Sequence, residues 1–434
     1  MKVNSSNKIV TNASWIIICR FVQAILNLFI SMFVARFLGP ANFGIINYAE
    51  SIVTFVVPVM QLGLNNTLVH ELISKPDKEG EIIGTSLVSC ITSAILCMGI
   101  VAMFVGVVNF GENETIIVSI LYSIMILAQA FEIVMYWFES KLMSKYTASM
   151  TLVAYLVVSI YKIFLLVTRK SIYWFAVSNA IDHFIIGIAL IVLYKKLNGE
   201  KLSFSFNRFK DMLGTSKYYI LSGMMVAVFS QTDRLMLKLM IGNEVTGFYS
   251  AAVRCAGISC FIFTAVINSS VPVIYASKER SKKEFEYNIK QLYSVILYLA
   301  LAQSIFMTIL AKPIIYILYG VEYMEAVPAL KIVTWYIVFS YMGVIRNRWM
   351  LAENLQHLIW KIDLSGALAN VVLNLVLIPK YGIVGASVAS LLTQLFTNFI
   401  LGWIMKDIRR NNQLLISGLN PNILINVLKK FLKR

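Results

Sequence analysis

The chain is a series of long apolar runs separated by short polar breaks. It shows neither the two-residue alternation of a half-buried strand nor the narrow apolar stripe of a soluble helix. Twelve runs fall at about 12–35, 44–66, 83–108, 115–138, 147–167, 173–194, 217–240, 246–275, 291–311, 327–345, 361–378 and 383–405. A helix needs about 20 apolar residues to cross a bilayer. A barrel strand needs only about ten, and alternates. The pattern predicts an all-α integral membrane protein of about 12 transmembrane helices. The first run is too long for the apolar core of a cleavable export signal, and no small-residue cleavage site follows it, so it is expected to persist as a span.

The break at residues 35–52 organises the rest. Arg36 and the Gly39-Pro40 pair stop the first run, since Pro40 lacks a backbone donor and Gly39 and Gly44 tolerate backbone angles that other residues avoid. A similar break occurs at 239–255, where Gly242 and Gly247 repeat the five-residue spacing of Gly39 and Gly44. Aromatic residues follow each second glycine (Tyr48; Phe248 and Tyr249), then a small one (Ala49; Ala252). The same turn at the same point of two apolar halves predicts an internal repeat, the usual build of a secondary transporter. The expected layout is an N-terminal lobe of six spans over 1–194, a basic cytoplasmic loop over 195–217 acting as the hinge, a C-terminal lobe of six spans over 218–406, and a basic amphipathic tail over 407–434 lying on the inner leaflet.

Composition fits lipid as the solvent. The 434 residues are 59% hydrophobic and 14% charged, against about 25% charged in an ordinary soluble domain. The net charge of +16 is read as basic loops on anionic lipid, not as a nucleic-acid footprint. With the N-terminus in the cytoplasm, twenty-seven Lys and Arg fall in inside segments, and only Arg36, Arg169, Lys170, Lys312 and Lys380 fall outside. The positive-inside rule then puts both ends in the cytoplasm and demands an even number of spans. Cys19, Cys90, Cys97, Cys255 and Cys260 all lie in apolar runs and are expected to be small core residues. The three histidines His70, His183 and His357 are scattered, so no metal and no cofactor are expected.

No nucleophile elbow, Walker loop or paired hydrolytic carboxylates appear, which argues against an enzyme and against an ATPase. Pro58, Pro272 and Pro328 interrupt or open spans. The informative residues are ionisable groups inside spans, which usually face a water-filled interior. The cations are Arg20, Lys162, Arg234, Lys238 and Arg254, expected to line a cationic substrate cavity. The acids Glu50, Glu132, Asp182 and Asp233 are candidates for ion coupling, with Asp233 a possible partner of Arg254 or Lys162. Arg234 and Lys238 lie four apart and so share a helix face. Polar residues in the spans, among them Gln129, Asn179, Tyr341, Asn370, Asn374 and Gln394, are available to sugars or to interhelical bonds.

Three stretches, ARFLGPANFG from residue 35, QTDRLMLKLMIGNEVTGFYSAAVR from 231 and NLVLIPKYGIVGASVASLL from 374, resemble the polysaccharide-exporter branch of the multidrug/oligosaccharidyl-lipid/polysaccharide transporter superfamily. Bacterial members include the Wzx-type flippases of O-antigen and capsule repeat units. The resemblance covers residues 8–406 or so. It implies alternating-access transport of an undecaprenyl-pyrophosphate-linked oligosaccharide across the bacterial cytoplasmic membrane, serving O-antigen or another surface polysaccharide. It also implies coupling to H+ or Na+ and association with a polysaccharide polymerase. Rival readings are a cation-coupled multidrug exporter of the same fold, a peptidoglycan-precursor flippase, and a membrane glycosyltransferase, which would need a longer acidic outer loop than this chain has.

Overall fold

In lipid every backbone N–H and C=O must find a partner inside the protein, and a helix supplies them all within one segment. The described residues accordingly form helices joined by short turns, with no strand among them. The computed structural model describes the backbone of residues 2–432 and not the side chains of 1–14, 16–18, 20, 66, 428 and 430–434. The expectation placed on Arg20, and that on the end of the expected tail, residues 428 and 430–434, therefore lie outside the described residues.

The chain forms two compact units, 1–231 and 232–434. The first contains α1 (Lys2–Met60), α2 (Leu68–Ser74), α3 (Glu79–Val108), α4 (Asn113–Ala130), a 3-10 turn (Phe131–Val134), α5 (Met135–Ser140), α6 (Ser144–Val167), α7 (Ile172–Lys196) and most of α8 (Phe206–Met240). The second takes the end of α8, then α9 (Asn243–Ala256), α10 (Cys260–Arg280), α11 (Lys282–Ile309), α12 (Ala311–Tyr319), α13 (Ala326–Ala352) and α14 (Ile359–Leu395). A π-helical turn (Phe396–Ile400), α15 (Leu401–Ile404), α16 (Arg409–Gly418) and α17 (Pro421–Leu432) complete it.

Nine helical stretches among the described residues are long and apolar enough to cross a membrane, making this a multi-pass membrane protein. Two of the nine are pairs of spans. The stretch Phe21–Met60 bends at Gly39 (φ 72, ψ 169), and Gln356–Ile404 bends at Gly382 (φ 55, ψ −129). The charged α8 is 35 residues, roughly 50 Å, long enough to serve as a further span. Divided at the two bends and joined by α8, these stretches reproduce the expected twelve. Side-chain burial follows the helical period. On α3, Cys90, Ala94, Cys97, Val101 and Val105 are buried, while Ile95, Leu96, Ile100, Met103 and Val107 are exposed. Apolar exposure on that scale is stable only against acyl chains. All five cysteines are free thiols; four are buried and Cys260 is half-buried.

The repeated turns have one backbone solution. Gly39 and Gly242 (φ 141, ψ −175) both have positive φ with extended ψ, and a helix opens directly after each. A side chain is strained at either position. Gly44 and Gly247, five residues on, are both buried within the helices that follow.

Three segments show structure beyond the expected layout. The stretch after α7 lies as a strap on α3. Glu200 accepts the Gly80 N–H through its carboxylate (2.8 Å) and the Tyr194 hydroxyl through its backbone carbonyl (2.6 Å). The Ser203 N–H donates to the Gly80 carbonyl at 3.2 Å, and the Ser205 N–H to Thr85 Oγ1 at 3.0 Å. A Cβ at Gly80 or Gly84 would stand 2.4 Å from the carbonyl oxygen of Lys201 or Ser203, so these glycines let the strap lie flat on α3. Arg208, buried at the start of α8, ties the strap to Glu81 (3.3 Å) and Glu71 (3.5 Å). Arg346, expected in an inner loop, is instead buried in α13, which runs seven residues past the expected end of its span. The cause is the π-helical turn. The Leu401 N–H bonds to the Phe396 carbonyl, five residues back, which leaves the Thr397 carbonyl without its helical donor. Arg346 Nη1 supplies one at 2.7 Å.

The first part of the expected tail also packs as core. Helix α16 buries Asn411, Asn412, Leu414 and Leu415, and Tyr293 donates to Asn411 Oδ1 at 3.0 Å. Arg410 holds Glu286 in a two-pronged ion pair.

Candidate functional site

Two buried polar clusters, one in each unit, gather ionisable residues singled out in the sequence. In the second unit the centre is Asp233 on α8, only 8% exposed. Its Oδ1 accepts from Asn370 Nδ2 at 3.0 Å and Asn374 Nδ2 at 2.6 Å. Its Oδ2 accepts from the Tyr249 hydroxyl at 2.6 Å and from the Ser390 hydroxyl. The two asparagines stand four apart on α14 and so share a face, and Ser390 comes from the same helix beyond the Gly382 bend. Tyr249 is supplied by α9, seven residues after the Gly242 turn. Among the described residues, four neutral donors thus hold the carboxylate.

One carboxyl group among neutral oxygens is a donor set for a small hard cation. The Asn374 Oδ1 is buried without a hydrogen-bond partner, as is Thr393 Oγ1, three residues beyond Ser390. Turning the asparagine amides would add carbonyl oxygens to those of Asp233, Ser390 and Tyr249. With a single carboxylate the set suits a monovalent ion; among the described residues no group of three His, Cys, Asp or Glu gathers to hold a metal.

In the first unit the cluster lies around α7. Lys162 on α6 donates to Asn179 Oδ1 at 2.9 Å. Glu132 sits in the 3-10 turn after α4, 2.7 Å from His183 Nδ1, and Gln129 Nε2 lies 3.3 Å from His183 Nε2. Asp182 Oδ1 is buried with no hydrogen-bond partner. The turn and α7 meet closely because position 187 is glycine: a Cβ there would fall 2.5 Å from the Phe131 Cβ. Helical segments of 3-10 geometry inside a longer helix often mark functional positions.

The structure therefore distributes the residues singled out in the sequence. Asp182, Glu132 and Lys162 gather in one place, and Asp233 stands in another. Arg234 and Lys238 are buried on α8 one turn apart, at 9% and 5% exposure. Arg254 is half-buried in the last turn of α9, and Glu50 is half-buried in the second half of α1. The side chains of Glu50, Arg234, Lys238 and Arg254 are all engaged by neighbours. Of the polar residues offered to sugars, Asn370 and Asn374 are turned to Asp233, Asn179 to Lys162, and the Tyr341 hydroxyl to the Cys260 carbonyl at 2.8 Å. His183 and Ser390 escaped sequence reasoning. A histidine beside Asp182, four residues after Asn179, carried the signal: that spacing lines one helix face.

Comparison with known proteins fits this architecture. The polysaccharide biosynthesis protein family matches residues 9–277. The capsular polysaccharide biosynthesis protein CapF of Staphylococcus aureus is 20% identical over 89% of this chain and 96% of its own length. An uncharacterised membrane protein of Methanocaldococcus jannaschii is 24% identical over 54% of this chain, which spans about half (48%) of that relative. A probable low-salt glycan biosynthesis flippase of Haloferax volcanii, Agl15, is 24% identical over 44% of this chain and 40% of its own. Among solved structures, the lipid II flippase MurJ in an inward closed conformation superposes with a TM-score of 0.74 at 16% identity, covering 95% of this chain and 92% of that one. A multidrug resistance MATE transporter in an inward-facing conformation gives 0.69 at 14% identity, covering 91% and 96%. At these identities the likeness is one of fold. The family match spans more than half of the chain, and the chain belongs to the polysaccharide biosynthesis protein family.

Proposed function

We propose that the chain is a flippase that moves an undecaprenyl-pyrophosphate-linked oligosaccharide from the inner to the outer leaflet of a bacterial cytoplasmic membrane, with both termini in the cytoplasm. The observation that carries this reading is the buried pair Arg234 and Lys238, one turn apart on α8 and next in sequence to the Asp233 cluster. Buried cations in a membrane helix are expensive and mark a path for charged cargo. A pyrophosphate is compact and dianionic; a guanidinium meets its oxygens with a fork and an ammonium with a point charge. Arg254, in the same unit, extends the cationic set, and the polyprenyl tail remains in lipid. Two six-helix lobes alternate access to the site, and the oligosaccharide leaves for a polymerase outside. Membership of the polysaccharide biosynthesis family supports the cargo class.

The energy source in this reading is an ion gradient. The Asp233 cluster, with its open Asn374 oxygen, is the ion site of the second unit. Glu132, Asp182 and Glu50 are the remaining acidic candidates. The test uses cells deleted for the chain, with surface glycan and polyprenyl-linked intermediates quantified together. Loss of surface polysaccharide with lipid-linked repeat units held on the cytoplasmic leaflet is the expected result, and R234A reproduces it. Unchanged glycan with new sensitivity to cationic drugs would instead assign the chain as a multidrug exporter.

A further inference from the structure

The first unit contains an imidazole–carboxylate pair that a path for pyrophosphate does not need. His183 stands on α7 with Nδ1 2.7 Å from Glu132 Oε1 and Nε2 3.3 Å from Gln129 Nε2. A ring protonated at Nδ1 alone satisfies both contacts in this amide orientation. A carboxylate only accepts, so Nδ1 carries a proton and donates; an amide nitrogen only donates, so Nε2 is the bare acceptor. The arrangement is that of a neutral imidazole. It leaves the other end of the amide, Gln129 Oε1, buried without a hydrogen-bond partner. A half-turn of the carboxamide exchanges its oxygen and nitrogen with little change of shape. Gln129 then offers Oε1 to Nε2–H, the arrangement an imidazolium requires. Each orientation of one amide matches one protonation state of the ring.

The surrounding charges favour the exchange. Glu132 from the 3-10 turn, Asp182 from α7 itself and Lys162 from α6 are the charged groups that act on the imidazole. The two carboxyl groups favour a protonated ring and the Lys162 ammonium opposes it. A sodium ion is poorly served here, because the ring presents nitrogen and Lys162 adds a competing ammonium. The Asp233 cluster of the other unit presents oxygen alone.

We propose that Glu132–His183 is a proton-binding site of the N-terminal unit, and that Gln129 follows its occupancy by turning its amide. The proton arrives at Nε2, the ring becomes an imidazolium donating to Glu132 and to Gln129 Oε1, and release reverses the step. Proton binding stands by itself; its use as a coupling step rests on the flippase reading.

The experiment takes the full chain, labelled with 15N-histidine, in lipid bilayers. With three histidines in the sequence, the H183N variant assigns the His183 signal. Solid-state NMR from pH 5 to 9 is expected to show the ring passing from imidazolium to the neutral form protonated at Nδ1. E132Q, which removes the facing negative charge, and Q129L, which removes the acceptor, are each expected to lower the imidazolium fraction at pH 6 at least fivefold. A ring that stays in one state throughout, or that titrates identically in wild type and both variants, overturns the proposal. A second arm follows flipping of a lipid-linked oligosaccharide in vesicles under a pH gradient. Tenfold loss of the gradient-driven part in H183N, with the variant still folded by its melting curve, supports coupling. Wild-type flipping with full pH-gradient dependence in H183N overturns the coupling role alone. No flipping by wild type rejects the flippase reading and leaves the NMR result to decide proton binding.

Discussion

At the scale of single residues, Asp233 and Arg346 illustrate two ways of keeping a charge inside a membrane helix bundle. Asp233 is surrounded by four neutral donors, and Arg346 by the carbonyl that a π-helical turn releases. Hydrogen bonds to charged groups contribute roughly 1.5–3 kcal/mol. Asn374→Leu removes one donor from Asp233 and one open oxygen from the proposed ion site. Its melting temperature is expected to fall by several degrees, and the rise in melting temperature predicted for wild type on replacing choline chloride with sodium chloride is expected to vanish. An Asn374→Leu protein that sodium still stabilises as strongly as wild type would remove Asp233 from the coupling scheme. Arg346→Met leaves the Thr397 carbonyl buried and without a donor, a loss of about 1–3 kcal/mol. Thermal unfolding in detergent measures it; an unchanged midpoint means that the turn finds another donor.

At the scale of elements, glycines decide which segments touch. Gly80 and Gly84 admit the strap 200–205 onto α3, and Gly187 admits the 3-10 turn onto α7. Gly80→Leu should lift the strap, because the new side chain meets the Lys201 carbonyl. Protease added to inside-out vesicles is then expected to cut between residues 197 and 208 at least tenfold faster than in wild type, with Gly99→Leu, which meets open space, as the control. Equal cutting rates would mean that the strap is held without the close approach. Gly242→Ala tests the repeated turn. Its positive φ makes the substitution unfavourable by roughly 1–3 kcal/mol although nothing crowds the position. A loss of stability without any change in labelling of α9 is the expected outcome, and no loss would show that the turn relaxes.

At the scale of the whole molecule, the expected orientation rests on where Lys and Arg fall. Single cysteines placed at Lys170 and Lys380, with the five native thiols replaced, are expected to react with a membrane-impermeant maleimide in intact cells. Cysteines at Lys201 and Lys283 are expected to react only after permeabilisation. The reverse pattern would invert the topology and with it the direction of the proposed transport.

Much of this protein was legible in its sequence. Twelve apolar runs gave the helices because lipid leaves the backbone no other partner. Gly39 and Gly242 gave the repeat because a turn that needs positive φ is written in residue type. Asp182, Glu132, Lys162 and Asp233 stand out because a charge in an apolar run is anomalous at any fold. Their partners were not. Nothing in the sequence ties Asp233 to Ser390, 157 residues later, or Glu132 to His183. Nor does it show that Arg346 belongs to a helix rather than to a loop, since the carbonyl that receives it exists only once the π-helical turn has formed. Hydropathy and backbone preference are properties of neighbours along the chain. Which donor satisfies a buried charge is settled by helices brought together through packing, and that only the tertiary structure decides.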